Sequence, residues 1–360
     1  MKTSRLYHQR CNLLGQSSDW ADQRHLQTLV WMVIGVICSE CISLTKWGIY
    51  VNSRAKVAQS HQRRFSRWLH NSRINVQRLY SRLIGAALVN WGVSEISLIE
   101  DTTMLWDEYC LIRLSIQYRG RAIPLVWRVL RHGSSSVCFE VYQGMLKRAA
   151  RLIPEGVSVR FLADRGFANT QLMRYLRDEL QWHFRIRVKS NAWIYRPHRG
   201  WKRLNQYHLA AGESILLHGI TLNKSRPLSD LNLALGRDPL SGQLWFVATN
   251  EPASLQTFQQ YSERFQLEEE LRRRKIQRLS TRTLSNSLCP SVVSIVLCLS
   301  GDDIAPHGAR AASRGDGQTP LGRCSLESRQ QLFSHWLELA QGLLASRLAS
   351  ISHPCSAWRS

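Results

Sequence analysis

Two short apolar runs decide what this chain can fold into. Ile96-Ser-Leu-Ile-Glu-Asp101 and Val157-Ser-Val-Arg-Phe-Leu-Ala-Asp164 read as buried strands, and each ends on an acid. Between them Cys110–Tyr118 and Ala122–Val129 alternate like a hairpin across Arg119-Gly120, and Val137–Leu152 carries a helical pattern. Asn169–Leu180 reads as the next helix, with Asn169 as its N-cap. An acid that closes a strand is ordinarily a turn or capping residue. Neither Asp101 nor Asp164 therefore points to chemistry by itself.

The order of these elements is that of a ribonuclease-H-like α/β core, a mixed sheet whose first and fourth strands lie side by side so that their terminal acids meet. A third acid belongs to Tyr261-Ser-Glu-Arg-Phe-Gln-Leu-Glu-Glu-Glu-Leu-Arg-Arg-Arg-Lys275, which has good helix formers and no Gly or Pro. At about 100° per residue, Tyr261, Arg264, Glu268 and Lys275 fall near about 0°, 300°, 340° and 320°, whereas Glu269 and Glu270 fall near about 80° and 180°. The stripe singles out Glu268. Taken alone, such a segment is also a solvated helix with intrahelical ion pairs. A carboxylate flanked by cations can instead hold a divalent metal while Arg and Lys hold phosphates.

Tyr, two residues, Arg, three residues, Glu, six residues, Lys resembles the signature of bacterial insertion-sequence transposases of the DDE superfamily. Asp101, Asp164-Arg165-Gly166-Phe167 and Glu268 match that family's acids in order. The resemblance covers roughly residues 7–275. It implies that Asp101, Asp164 and Glu268 form a catalytic triad holding two Mg²⁺ ions, with Mn²⁺ as an alternative, for strand cleavage and strand transfer at element ends. It implies that Arg264 and Lys275 clamp phosphates and that Tyr261 positions the strand end. Its expected partners are double-stranded DNA, as terminal inverted repeats and target, and a second copy of the chain in a homodimer on DNA. An interval between the second Asp and the Glu would be an insertion that covers DNA. The corresponding location is the bacterial cytoplasm, associated with the nucleoid.

Composition agrees with a nucleic-acid partner. Lys and Arg number 48 against 26 Asp and Glu, a net charge of +22, with 13 Trp. Residues 7–92 read as an all-helical module, and Arg63, Arg64 and Arg67 neighbour one another at helical spacing as a DNA-binding face; a solvated basic face is the ordinary alternative. Nine scattered cysteines suit a reducing compartment, and Cys38-Ser-Glu-Cys41 reads as helix packing, without a structural metal. The start lacks an apolar signal core, and Leu26–Ser39 is shorter than the roughly 20 residues that span a bilayer, so no membrane role is expected.

The expected domains are residues 1–92, helical and DNA-binding; 93–188, the first part of the core; 189–242, a β-rich insertion; 243–300, the second part of the core with the signature helix; and 301–360, a linker and helical tail. Past Lys275 the resemblance fades. The triple arginine, Cys289-Pro290 and the Gly-, Ser- and Arg-rich stretch 301–329 precede a helical pattern at 331–351. The rival readings are a ribonuclease-H-like nuclease or resolvase, which cuts without joining, and a decayed, non-catalytic DNA-binding remnant.

Overall fold

A computed structural model of the chain describes residues 3–274, except 17–19, 21, 40–42, 54, 56, 90, 106–107 and 119–120. These residues belong to two compact units divided between Gly92 and Val93. Lys275, the linker expected at 301–329, the helix expected at 331–351, Cys41 and the hairpin turn Arg119-Gly120 lie outside the described residues.

The described part of the first unit consists of α1 (Thr3–Gln16), α2 (Gln23–Ser39), α3 (Leu44–Trp47), α4 (Ala58–Leu69) and α5 (Val76–Val89). The apolar run in α2 is its core, where Leu26, residues 29–34 and Val36 are all buried. Among the described residues no helix is long and apolar enough to cross a membrane. Trp47 and Phe65 meet edge to face at 5.9 Å beside α2. This close approach requires Gly35, since a Cβ there would collide with the Trp47 side chain. α4 turns His61, Phe65, Trp68 and Leu69 inward, and Trp68 Nε1 donates to the His25 carbonyl at 3.0 Å. Burying a side chain such as Phe65 contributes about 1.5–3 kcal/mol.

The second unit is organised on one mixed sheet. Its strands are β1 (Glu95–Leu105), β2 (Tyr109–Tyr118), β3 (Arg121–Arg131), β4 (Ser158–Ala163), β5 (His183–Arg187), β6 (Trp193–Arg196), β7 (Gly200–Arg203), β8 (Ser214–Leu222), β9 (Leu228–Arg237) and β10 (Leu244–Thr249). They lie in the order β3-β2-β1-β4-β5-β10-β9-β8-β6-β7. β1 runs parallel to β4 and β4 parallel to β5, while the remaining pairs are antiparallel. Leu98, Ile99, Phe161 and Leu162 are buried on both faces of the centre, as strands sandwiched between helices must be.

α6 (Phe139–Leu152) and α7 (Thr170–Arg174) follow β3 and β4, and α7 continues as a π-helical turn over Tyr175–Glu179. Asn169 caps α7 by accepting from the Gln171 N–H at 2.8 Å. One feature differs from the sequence reading. β1 does not stop at Asp101: its ladder with β4 ends at Glu100↔Ala163, but its hairpin with β2 runs on to Leu105↔Tyr109. The four strands between residues 193 and 237 continue the core sheet, because β9 pairs along β10 and carries them onto it.

Candidate active site

The end of the β1–β4 ladder creates the site. One step past Glu100↔Ala163, Asp101 and Asp164 are the next pair on a common face, about 4.8 Å apart in backbone terms. Asp164 still has extended backbone, with φ −78° and ψ −179°. β2 places Arg113 opposite Asp101, and one step past Ala163↔Ile186 β5 places Arg187 beside Asp164. Arg113, Asp101, Asp164 and Arg187 thus form one row across four strands. All four are half-buried. Two adjacent carboxylates repel and lose hydration, and an arginine at each end of the row offsets both costs.

Asp164 is further fixed by its own turn, since its Oδ1 accepts from the Gly166 N–H at 2.7 Å. A Cβ on Gly166 would lie 2.9 Å from that oxygen. Only glycine lets the Asp-Arg-Gly-Phe turn close without moving the carboxylate.

α8 (Leu255–Arg274) covers the row. It starts where Ser254 N–H donates to Thr257 Oγ1 and Thr257 N–H donates to the Ser254 carbonyl, both at 3.0 Å. It lies over the sheet from β9 to β3, and Thr257, Tyr261 and Arg264, exposed by only 1%, 0% and 8%, mark its inward stripe. Two bonds fix its rotation. Arg185 Nε donates to Gln260 Oε1 at 2.9 Å, and Ser97 Oγ donates to Glu263 Oε2 at 3.3 Å. Arg185 is itself buried and also donates to Thr249 Oγ1 and Glu251 Oε2, both at 2.6 Å. Glu268 occupies the helix position one turn beyond Arg264, about 40° from it and thus on the same stripe. Its side chain lies outside the described residues, as Lys275 does.

The basic side of the site was only partly legible in the sequence. Arg187 Nη2 donates to the Leu244 carbonyl at 2.8 Å. Burial lowers the Arg187 pKa, Tyr261 and Asp164 oppose that shift, and Arg165 and Arg264 add to it. Asp164 therefore faces a cluster of cations. Arg113 and Arg187 carry no signal in the sequence because theirs is a matter of register: each joins the row only through the pairing of β2 with β1 and of β5 with β4. Glu100, next to Asp101, points to the opposite face and is buried. Burial, and then the charge of Asp101, pushes its carboxyl up to about 8.

Tyr261 occupies a different place from the one the sequence suggested. Its ring is fully buried and packs edge-on against Trp245 at 5.7 Å, so it offers no surface to a strand end. Burial pushes its phenol up, against the opposing pull of Arg264 and Arg187, and Arg264 stands 5.7 Å from its ring centre. In the first unit, Arg63 and Arg67 are exposed, whereas Arg64 turns inward and its Nε donates to Thr28 Oγ1 at 2.9 Å.

Among the described residues no group of three potential metal-binding side chains converges. Asp101 and Asp164 contribute two hard oxygen donors, and Glu268 belongs to the helix that crosses above them. Such a donor set suits a divalent cation such as Mg²⁺ better than a soft metal.

The family described as "Transposase DDE domain" matches residues 109–287, an interval that holds Asp164 and Glu268 and begins after Asp101. A comparison with curated proteins returns no match. Among solved structures, the chain is similar to the piggyBac transposase synaptic complex with hairpin DNA, at 11% identity and a TM-score of 0.43, covering 98% of this chain and 80% of that one.

Proposed function

From the premise that the chain is a DDE-type DNA transposase, we propose that Asp101, Asp164 and Glu268 are its metal-binding acids and that Arg113, Arg165, Arg187 and Arg264 hold the phosphates on which it acts. The single observation that carries this reading is that Asp101 and Asp164 stand side by side one step beyond the last pair of the parallel β1–β4 ladder, Glu100↔Ala163, beneath α8. Asp101, Asp164 and Glu268 would hold two Mg²⁺ ions, or Mn²⁺, which would supply Lewis-acid activation of the attacking oxygen and charge neutralisation at the departing one.

The residues of the chain prepare that chemistry. Arg187 and Arg264 place positive charge around Asp164, where phosphoryl oxygens gain negative charge as the reaction proceeds. The Gly166 turn holds the Asp164 carboxylate in one orientation, and Tyr261 acts from within the core by supporting Arg264. In cleavage, a water oxygen bonds to phosphorus and the P–O3′ bond breaks, leaving a 3′-hydroxyl. In joining, that hydroxyl attacks a target phosphate and the target's own 3′-oxygen departs. Cut-and-paste movement also requires the second strand at each end to be cut, by a further displacement of one of these two kinds.

The DNA is the inverted repeats of an insertion sequence plus a target duplex, and two copies of the chain act together on paired ends. Residues 1–92 bind duplex through Arg63 and Arg67 on the exposed side of α4, with Arg64 fixing α4 to α2. Residues 189–242 run beside the substrate as an extension of the sheet. A bacterial Tyr-Arg-Glu-Lys transposase working at the nucleoid fits this set of residues.

The test is a cleavage and joining assay on DNA carrying candidate terminal repeats, with metal titrated in. Asp101→Asn and Asp164→Asn should each abolish both steps and keep DNA binding. Cutting without joining would favour a nuclease, and binding without cutting by the unaltered chain would mark it as non-catalytic.

A further inference from the structure

We propose that the β6–β7 hairpin, at the far edge of the sheet from β3, is a docking site for unpaired nucleotides, separate from the acid row. Six strand spacings separate β7 from β4, about 29 Å at the usual spacing. The proposal rests on the transposase reading only for the presence of DNA.

Cross-strand register puts the rings together. Trp193 faces Arg203 and Tyr195 faces Trp201, so all four side chains share one face of the hairpin. Tyr195 and Trp201 are 38% and 36% exposed, with ring centres 5.5 Å apart and planes tilted by 53°. Lys224 projects onto the same group, 3.7 Å from the Trp193 ring and 5.8 Å from Trp201, and Arg203 stands 4.8 Å from Trp193. The other face does ordinary structural work: Ile194 is fully buried, and Lys202 caps the Tyr207 ring at 4.4 Å.

The charge of this region selects the ligand. From Lys189 to Gly212, the stretch that holds the hairpin, the sequence has five Lys and Arg and no Asp or Glu, so a partner there should bring negative charge. Half-exposed rings at the same place want a flat apolar face. In an intact duplex the base faces are hidden in the stack and only groove edges are offered. An unpaired nucleotide supplies both requirements, its base stacking on Tyr195 or Trp201 and its phosphates reaching Arg203 and Lys224.

The test uses the full chain and a short oligothymidylate carrying 5-iodouracil. Irradiation should crosslink it to a peptide containing residues 193–203, and anisotropy should show that Tyr195→Ala with Trp201→Ala weakens its binding at least about fivefold, the lower end of what a lost base stack costs. Trp201→Phe should restore most of the affinity, and a duplex of the same length should bind the double variant as it binds the parent. Crosslinks only elsewhere, or an equal loss for duplex and single strand, would overturn the proposal. Cleavage by the double variant, against its absence in Asp101→Asn, keeps failure here distinct from failure of the transposase reading. Thermal melting of the double variant within a few degrees of the parent excludes a folding defect as the source of the lost affinity.

Discussion

The two ends of the sheet solve the problem of charge in opposite ways. At β2-β1-β4-β5, α8 lies over the strands and the acids are half-buried, so the row has compensation built in, an arginine at each end and two carboxylates between. At β6 and β7 the cations and rings face water, and no acid is near in sequence to answer them. The difference follows from cover. A charge beneath a helix loses hydration and needs a partner in the protein, whereas an exposed cation keeps its water until an anionic ligand replaces it. One end is therefore shaped to react with a phosphate, and the other to receive one.

The largest effects should separate these ends. Asp101→Ala and Asp164→Ala are expected to lower metal-dependent strand cleavage by about 10³-fold or more, with DNA affinity nearly unchanged. Tyr195→Ala with Trp201→Ala, at the far edge, should leave cleavage of saturating substrate within severalfold. Gel assays under single-turnover conditions measure both. Comparable losses at the two ends would erase the distinction. Glu268→Ala should join the severe group and Glu269→Ala should not, since only the former shares the stripe of Tyr261 and Arg264.

Next in size is Arg187→Gln, which removes one cation beside Asp164 and keeps a polar side chain. Cleavage should fall about 10- to 100-fold, mainly in the chemical step, because a positioned charge acts on the transition state more than on the bound substrate. Gly166→Ala should cost about tenfold. Its new methyl presses on Asp164 Oδ1, and the expected signature is a higher metal concentration for half-maximal rate with a stability change of about 1 kcal/mol. A rise in KM for DNA alone, with metal dependence intact, would show that the turn serves substrate and not the acid.

The three proposed acids could be singled out from local patterns, an apolar run before Asp101 and before Asp164 and a helical stripe at Glu268, although β1 runs on past Asp101 to Leu105. The β2–β3 hairpin, α6 and the Asn169 cap were legible for the same reason. Arg113 and Arg187 were not: a basic residue in an alternating strand has no meaning until the neighbouring strand is known, and β4–β5 pairing joins residues more than 20 apart in the chain. Tyr261 was half legible. Its stripe could be read from spacing, but whether that stripe faced DNA or the sheet depended on Trp245 and on the bonds from Arg185 and Ser97, all distant in sequence. The interval 193–237 was readable as strands, whereas its attachment to the core through β9 and β10 is again a matter of long-range pairing.

The last effect bears on stability and not on cleavage, and it belongs to the acid-bearing end but to its other face. Glu100 shares β1 with Asp101 yet points away from the arginine row, is almost wholly buried, and among the described residues no donor reaches its Oε2. With no compensation it stays protonated, and its carboxyl is pushed from the ordinary 4.5 to about 8. The unfolded chain releases this proton near its ordinary value, while the folded chain keeps it until about pH 8. Between those limits the folded state binds one proton more, so its stability falls as pH rises, by at most about 1.4 kcal/mol per unit from this group. Below the lower limit both states hold the proton and the contribution is complete; above the upper limit it is lost. Glu100→Gln carries no proton to lose. Urea titrations in chelator should therefore find the variant close to the parent at pH 5 and more stable by about 1–3 kcal/mol at pH 9. A difference independent of pH would mean that Glu100 ionises with compensation after all, and that charge at this end of the sheet is balanced on both faces and not only beneath α8.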